Sequence, residues 1–160
     1  MTPITQKVVE VGQQAPDFEL ADQHGQPVRL SSFRGRGAVL LVFYPFAFTG
    51  VCGGELHALE EARAELAAGG VTILTVSVDS MYCQRVFAER EGFGFPMLAD
   101  FWPHGGVASA YGVFHEGAGV SRRGSFLINL EGTVRWTVLN EIPDARDLAE
   151  AKNAIRAMRR

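Results

Sequence analysis

Two apolar runs, the continuous Ala38 to Phe43 and the valine- and isoleucine-rich Val71 to Val78, stand on either side of a segment whose apolar residues recur with helical spacing. Runs of that length, rich in β-branched and aromatic side chains, suit strands covered on both faces. Leu56, Leu59, Ala62 and Leu66 fall on one stripe between them, and Gly69-Gly70 end the pattern as a C-terminal cap does. A helix is therefore predicted over Gly53 to Ala67, with Cys52 at its start. Strand, helix, strand in that order implies a right-handed crossover between parallel neighbours, which commits the chain to an α/β core.

The flanking segments fit that core. Phe18-Glu19-Leu20 and Val28-Arg29-Leu30 alternate around Asp22-Gln23-His24-Gly25 and read as a β-hairpin, followed by a short capped turn at Ser31 to Gly35. A second helix is predicted over Met81 to Glu91, capped by Ser80 and stopped by Gly92, and Phe95 to Leu98 reads as a short strand. Phe101 to Gly119 is a glycine-bearing, aromatic loop region. Ser125 to Leu130 and Thr133 to Leu139 alternate across Glu131-Gly132 as an antiparallel hairpin. Leu148, Ala151, Ile155 and Met158 share one face of a last helix, for which Asp144 is the expected cap. The expected fold is a three-layer α/β sandwich of thioredoxin-like type, with a mixed sheet, a parallel βαβ core, an N-terminal hairpin and helices on both faces.

With 160 residues, 47% of them apolar, the chain is expected to form a single domain (1–160) with a core of its own. A net charge of −3 without a basic stripe gives no reason to expect nucleic acid or an anionic membrane surface as partner. No window approaches the length of a bilayer-spanning apolar helix. Two cysteines do not make a disulfide scaffold, and no export signal is evident, so a cytoplasmic location is expected.

Cys52 is the residue on which chemistry would turn. A thiol in the first turn of a helix meets unpaired N–H groups and the positive end of the backbone dipole, both of which favour its anion, the nucleophilic form. Thr49, three residues earlier, can aim a hydroxyl at the same point. Such a centre could serve acyl transfer, disulfide exchange or peroxide reduction. His24, His57, His104 and His115 carry no local signature of a cysteine-protease base, and position 55 is Glu where a C-x-x-C dithiol would have its second cysteine. Two cysteines 31 residues apart, with no neighbouring histidine pair, do not supply a zinc site, and no metal or other cofactor is expected.

The run Pro45-x-x-x-Thr49-x-x-Cys52 resembles the signature of peroxiredoxins of the AhpC/TSA type. Ala15-Pro16-Asp17-Phe18, Ser77-Val78-Asp79-Ser80 and Arg123-Gly124-Ser125-Phe126 are similar to that family's other markers, in their usual order. Phe46 to Gly50 and Phe101 to Gly105 look most like the short, AhpE-like one-cysteine group. The resemblance implies a thiol-dependent peroxidase that reduces hydrogen peroxide, organic hydroperoxides or peroxynitrite through a cysteine sulfenic acid. Cys52 would be the attacking thiol, Arg123 the guanidinium beside it, Thr49 the holder of the substrate oxygens, and Pro45 the shield of the sulfur. Glu55 would orient the arginine, or would only favour the helix dipole. Phe46, Phe48, Val51 and Trp102 would line an apolar collar, or would serve core or subunit packing.

The family's two-cysteine members carry a resolving thiol five residues on or in a C-terminal tail, and here position 57 is histidine and the tail has no cysteine. Cys83 is left as a candidate resolving thiol or a spectator packed against Phe87. The reductant implied is external: thioredoxin, a glutaredoxin-like protein or a low-molecular-weight thiol. The resemblance also implies a homodimer through the region of Pro45, Ser80 and Trp102. Two other readings remain open on sequence, a peroxide sensor that passes its oxidised state to a partner and a general thiol-disulfide reductase.

Overall fold

In a computed structural model, which describes residues 7–159, the two apolar runs are neighbouring strands. β1 (Glu19–Ala21) and β2 (Pro27–Arg29) pair antiparallel, with Leu20 opposite Val28. The main sheet is built from β3 (Ala38–Phe43), β4 (Val71–Ser77), β5 (Met97–Ala99), β8 (Arg123–Ile128) and β9 (Val134–Asn140), in the spatial order β5-β4-β3-β8-β9. β3, β4 and β5 run parallel, and β8 and β9 are antiparallel to their neighbours. The helices are α1 (Gly50–Ala68), α2 (Met81–Glu91), α3 (Gly106–Ala110) and α4 (Leu148–Met158).

The unbroken apolar character of β3 follows from its place at the centre of the sheet. All six of its residues are buried, and alternate side chains enter opposite cores. Ala38, Leu40 and Val42 join Cys52, Leu56, Leu59, Phe87, Ala151 and Ile155 under α1, α2 and α4. Val39, Leu41 and Phe43 join Phe18, Leu30, Ala108, Tyr111 and Phe126 on the other face. That second layer is thin: the N-terminal hairpin and the short α3 cover it.

Several boundaries differ from the sequence reading. The stretch from Phe101 to Gly119 is not all loop, since α3 lies within it and β6 (Phe114–His115) pairs with β7 (Val120–Ser121). The cap of α4 is Asp147, whose Oδ1 accepts from the Ala149 N–H at 2.9 Å, not Asp144. The chain stays extended at Asp147 because the residue before it, Arg146, is drawn into the interior by buried partners. α1 begins at Gly50, two residues before Cys52, with Thr49 as its N-cap residue. β8 begins at Arg123 itself, so that side chain is carried by a ladder residue paired with Asn140. Ser80 and Gly92 cap and stop α2 as expected, the serine Oγ accepting from the Cys83 N–H at 3.1 Å and the glycine taking φ +76°.

Candidate active site

The parallel pair β3 and β4 ends at one edge of the sheet, where Tyr44 to Thr49 carry the chain over to α1. Thr49 is extended, and its carbonyl accepts the first α1 bond from the Gly53 N–H at 2.8 Å. Cys52 is thus the third residue of the helix, inside the turn whose N–H groups lack helical partners. Its side chain points inward: the residue is wholly buried, in the same core as Leu56 and Tyr44.

One polar group reaches the sulfur inside that core. Arg123, whose side chain is 3% exposed, places Nη1 3.2 Å from Cys52 Sγ. The same Nη1 donates to Glu55 Oε1 at 2.6 Å, and Nε donates to the Ile142 carbonyl at 2.6 Å. Cys52 and Glu55 are one helical turn apart, so a single face of α1 presents both to the guanidinium. With the helix starting at Gly50, Glu55 is its sixth residue, in the second turn, where complementing the dipole no longer accounts for it. Gly124 follows because there is no room for a larger residue: a Cβ there would stand 2.8 Å from Val113 Cγ1.

A second guanidinium completes the cluster. Arg146 donates to Glu55 through its backbone N (2.7 Å), Nε (2.8 Å) and Nη2 (2.9 Å), and its Nη1 reaches the Phe43 and Gly124 carbonyls and Ser125 Oγ. Burial pushes the Glu55 carboxyl up, but hydrogen bonds and charge from Arg146, with charge from Arg123, outweigh it and hold it below the ordinary carboxylate value. Two guanidiniums and one carboxylate, each under 10% exposed, leave one uncompensated positive charge beside the sulfur.

The other residues singled out in the sequence lie further out. Pro45 is buried, at the entry to the loop. Thr49 is exposed, and its hydroxyl donates to the Phe46 carbonyl at 3.1 Å, not to the sulfur. Val51 lines a groove of about 330 Å³ together with Gly50, Glu55, Ser125, Trp136 and Arg146. Phe46, Phe48 and Trp102 do not line that groove, and they are exposed: Phe48 lies against Phe87 with ring centroids 4.7 Å apart, and Trp102 is 82% exposed. His57 is turned outward, 3.7 Å from Glu91. Cys83 is half-buried with Sγ 3.8 Å from Asp79 Oδ1, and both cysteines are free thiols. Burial and the Asp79 charge push the Cys83 thiol up.

Sequence reasoning missed Arg146 and the loop contacts of Asp79. Arg146 sits in a polar stretch between strand and helix, and the one available signal was indirect, since a carboxylate buried in α1 requires more than one donor.

Fold and site together define a class, a thioredoxin-like protein built around one helix-borne thiol held against a guanidinium. The AhpC/TSA family model matches residues 11–137. Alkyl hydroperoxide reductase E of Mycobacterium tuberculosis (strain ATCC 25618 / H37Rv) is 42% identical over 151 residues, covering 94% of this chain and 99% of that protein. Among solved structures, the crystal structure of peroxidoxin BcpB from Mycobacterium tuberculosis superposes with a TM-score of 0.80 at 32% identity, over 93% of this chain and 96% of that one. Enterococcus faecalis AhpC gives a TM-score of 0.85 at 30% identity, over 93% and 92% of the two chains. The chain belongs to the AhpC/TSA family, the peroxiredoxins, and is a thiol-dependent peroxidase.

Proposed function

We propose that Cys52 is the peroxidatic cysteine and that Arg123 is the group that makes it reactive. The observation that carries this reading is the 3.2 Å contact between Arg123 Nη1 and Cys52 Sγ, in a cluster whose other charges sum to plus one. The thiolate attacks one oxygen of hydrogen peroxide, a small organic hydroperoxide or peroxynitrite. The O–O bond breaks with its electron pair on the departing oxygen, which leaves as hydroxide, alkoxide or nitrite, the first two taking a proton from solvent to become water or an alcohol, and the sulfur, oxidised by two electrons, becomes a sulfenic acid. Negative charge moves onto the departing oxygen during this step, and the guanidinium is already placed to receive it. Thr49 exchanges its bond to the Phe46 carbonyl for one to the substrate oxygen, and Pro45 keeps bulk water from the sulfur. Glu55, held by Arg146, fixes the guanidinium's orientation.

An external thiol then attacks the sulfenic sulfur, water leaves, and a second thiol cleaves the mixed disulfide. Cys83 does not resolve the sulfenic acid in this reading, because a thiol held protonated by burial and a neighbouring carboxylate is a poor nucleophile. The thiol donor, a thioredoxin, a glutaredoxin-like protein or a small thiol, places the reaction in a reducing compartment, the cytoplasm. Two copies associate through the region of Pro45, Ser80 and Trp102, and Phe46, Phe48, Tyr82 and Trp102 are exposed large apolar side chains available to that contact. No helix among the described residues is long and apolar enough to cross a membrane.

Peroxide consumption with several supplied thiols, run on the parent, Cys52→Ser and Cys83→Ser, tests this reading. The expected result is turnover by the parent and Cys83→Ser, and none by Cys52→Ser. After one equivalent of peroxide, non-reducing mass spectrometry should show a sulfenic or sulfinic mass on Cys52, and a bridge between Cys52 and Cys83 would refute the external route.

A further inference from the structure

The loop from Pro45 to Thr49 decides where Thr49 and the start of α1 stand, yet few bonds hold it. Tyr44 is still tied to the sheet, its N–H donating to the Val76 carbonyl at 3.0 Å. Beyond it, the Ala47 N–H donates at 2.8 Å to Asp79 Oδ2, on the segment that leads from β4 into α2. The next residue, Phe48, has φ +62°, a left-handed conformation that costs a bulky residue free energy and persists only when its surroundings impose it. Its ring is held on one side by Phe87 and approached by Arg90, whose Cζ lies 5.7 Å from the ring centroid.

Asp79 is itself firmly set. The same Oδ2 accepts the Ser77 hydroxyl at 2.6 Å, and Oδ1 faces the Cys83 thiol at 3.8 Å. α2 is pinned to the sheet by buried Gln84, which accepts the Tyr44 hydroxyl at 2.5 Å and donates to the Leu98 carbonyl at 2.7 Å. A rigid carboxylate thus grips a strained loop at its midpoint.

We propose that Asp79 is a positioning residue for the peroxide step: by holding the Ala47 N–H it keeps the Pro45–Thr49 loop where Thr49 and Cys52 meet the substrate together. This inference rests on the reading of Cys52 as the peroxidatic thiol. Asp79 bonds to Ala47, Ser77 and Cys83 and not to the Cys52 sulfur, so its influence on that sulfur passes through loop geometry, and misplacement of a reacting group by about 1 Å costs on the order of 100-fold in rate. The sulfur is wholly buried in the loop-closed arrangement, so the thiol that later reduces the sulfenic acid gains no advantage from the clamp. The two half-reactions should therefore separate.

The test compares the parent, Asp79→Ala and Asp79→Asn by stopped-flow fluorescence, following oxidation by hydrogen peroxide and reduction of the preformed sulfenic acid by dithiothreitol. Asp79→Ala is expected to slow oxidation about tenfold or more and to leave reduction within about threefold. Asp79→Asn, whose amide oxygen can accept from both Ala47 and Ser77, is expected to oxidise within about threefold of the parent. A folded Asp79→Ala that oxidises at the parent rate, or that loses both half-reactions in proportion to its folded fraction, overturns the inference. Should Asp79→Ala not fold, hydrogen exchange in the parent decides: an Ala47 amide protected at least tenfold supports the clamp, and one exchanging at the free-peptide rate overturns it. A parent that consumes no peroxide refutes the peroxidase reading itself, whereas a fast parent with an equally fast Asp79→Ala refutes only the clamp.

Discussion

Replacing Glu55 with glutamine removes one buried negative charge while keeping the shape of the side chain. Four donors converge on this carboxylate: Arg123 Nη1 and Arg146 Nη2 at Oε1, and the Arg146 backbone N and Nε at Oε2. Whichever way the amide is turned, its NH₂ group faces two of those donors and two bonds are lost. Hydrogen bonds to charged groups are worth about 1.5–3 kcal/mol each, giving roughly 3–6 kcal/mol for the pair. Removing one partner of a buried ion pair costs about 3–5 kcal/mol by a separate line of measurement. Taking about 4 kcal/mol, and about 2–4 °C per kcal/mol for a domain of this size, Glu55→Gln should melt roughly 8–16 °C below the parent. The variant also frees the Arg123 guanidinium to turn, so peroxide reduction should slow about 10- to 100-fold. Differential scanning calorimetry and stopped-flow oxidation read the two effects. A variant that melts within about 2 °C of the parent and reacts at its rate would refute the view that this carboxylate holds the two guanidiniums in place.

The depressed Glu55 carboxyl makes that difference depend on pH. A group whose native value lies below its unfolded value contributes stability that is fully present above the unfolded value and is lost as pH falls through the native one. The gap in melting temperature between parent and Glu55→Gln should therefore be widest above about pH 5 and should close as pH is taken toward 3, as circular dichroism melts would record. The Cys83 thiol, pushed up by burial and by Asp79, should alkylate slowly at neutral pH and still gain rate with pH beyond the ordinary thiol range. Timed iodoacetamide labelling with peptide mass spectrometry checks this, and rapid labelling of Cys83 at pH 7 would contradict it.

The parts of this molecule that were legible in the sequence are those whose burial leaves a local trace. β3 and β4 are covered on both faces, so they appear as apolar runs, unbroken in β3 and interrupted by Thr72, Thr75 and Ser77 in β4, and α1 between them carries the stripe that packs on β4. The thiol at the head of α1 followed from that element order. The two-residue β6 and the five-residue α3 leave too few periods to register, which is why the stretch from Phe101 to Gly119 read as loop. Glycines obscured the start of α1, since Gly50 and Gly53 suit either loop or first turn. Arg146 was out of reach for a different reason: its partner Glu55 is 91 positions away in the chain, and nothing near Arg146 distinguishes it from a surface arginine. The displaced cap has the same origin. Asp144 and Asp147 are equal as N-cap residues by type, and the pull of Glu55 on Arg146 decides between them. Phe46, Phe48 and Trp102, read from sequence as an apolar collar or as core or subunit packing, are exposed within one subunit, so a single chain's burial pattern does not choose between collar and subunit packing.

Everything chemical here depends on one guanidinium acting on one sulfur across 3.2 Å. The direct measurement is the second-order rate constant for oxidation by hydrogen peroxide in Arg123→Met, beside Arg123→Lys, with folding checked by circular dichroism. Loss of a preorganised donor to developing negative charge costs about 100- to 1,000-fold, and a folded Arg123→Met should show a loss of that order, with lysine recovering part of it as a point charge. A folded Arg123→Met that reacts within about threefold of the parent would contradict the account, because the thiolate would then owe its reactivity to something other than the group that touches it.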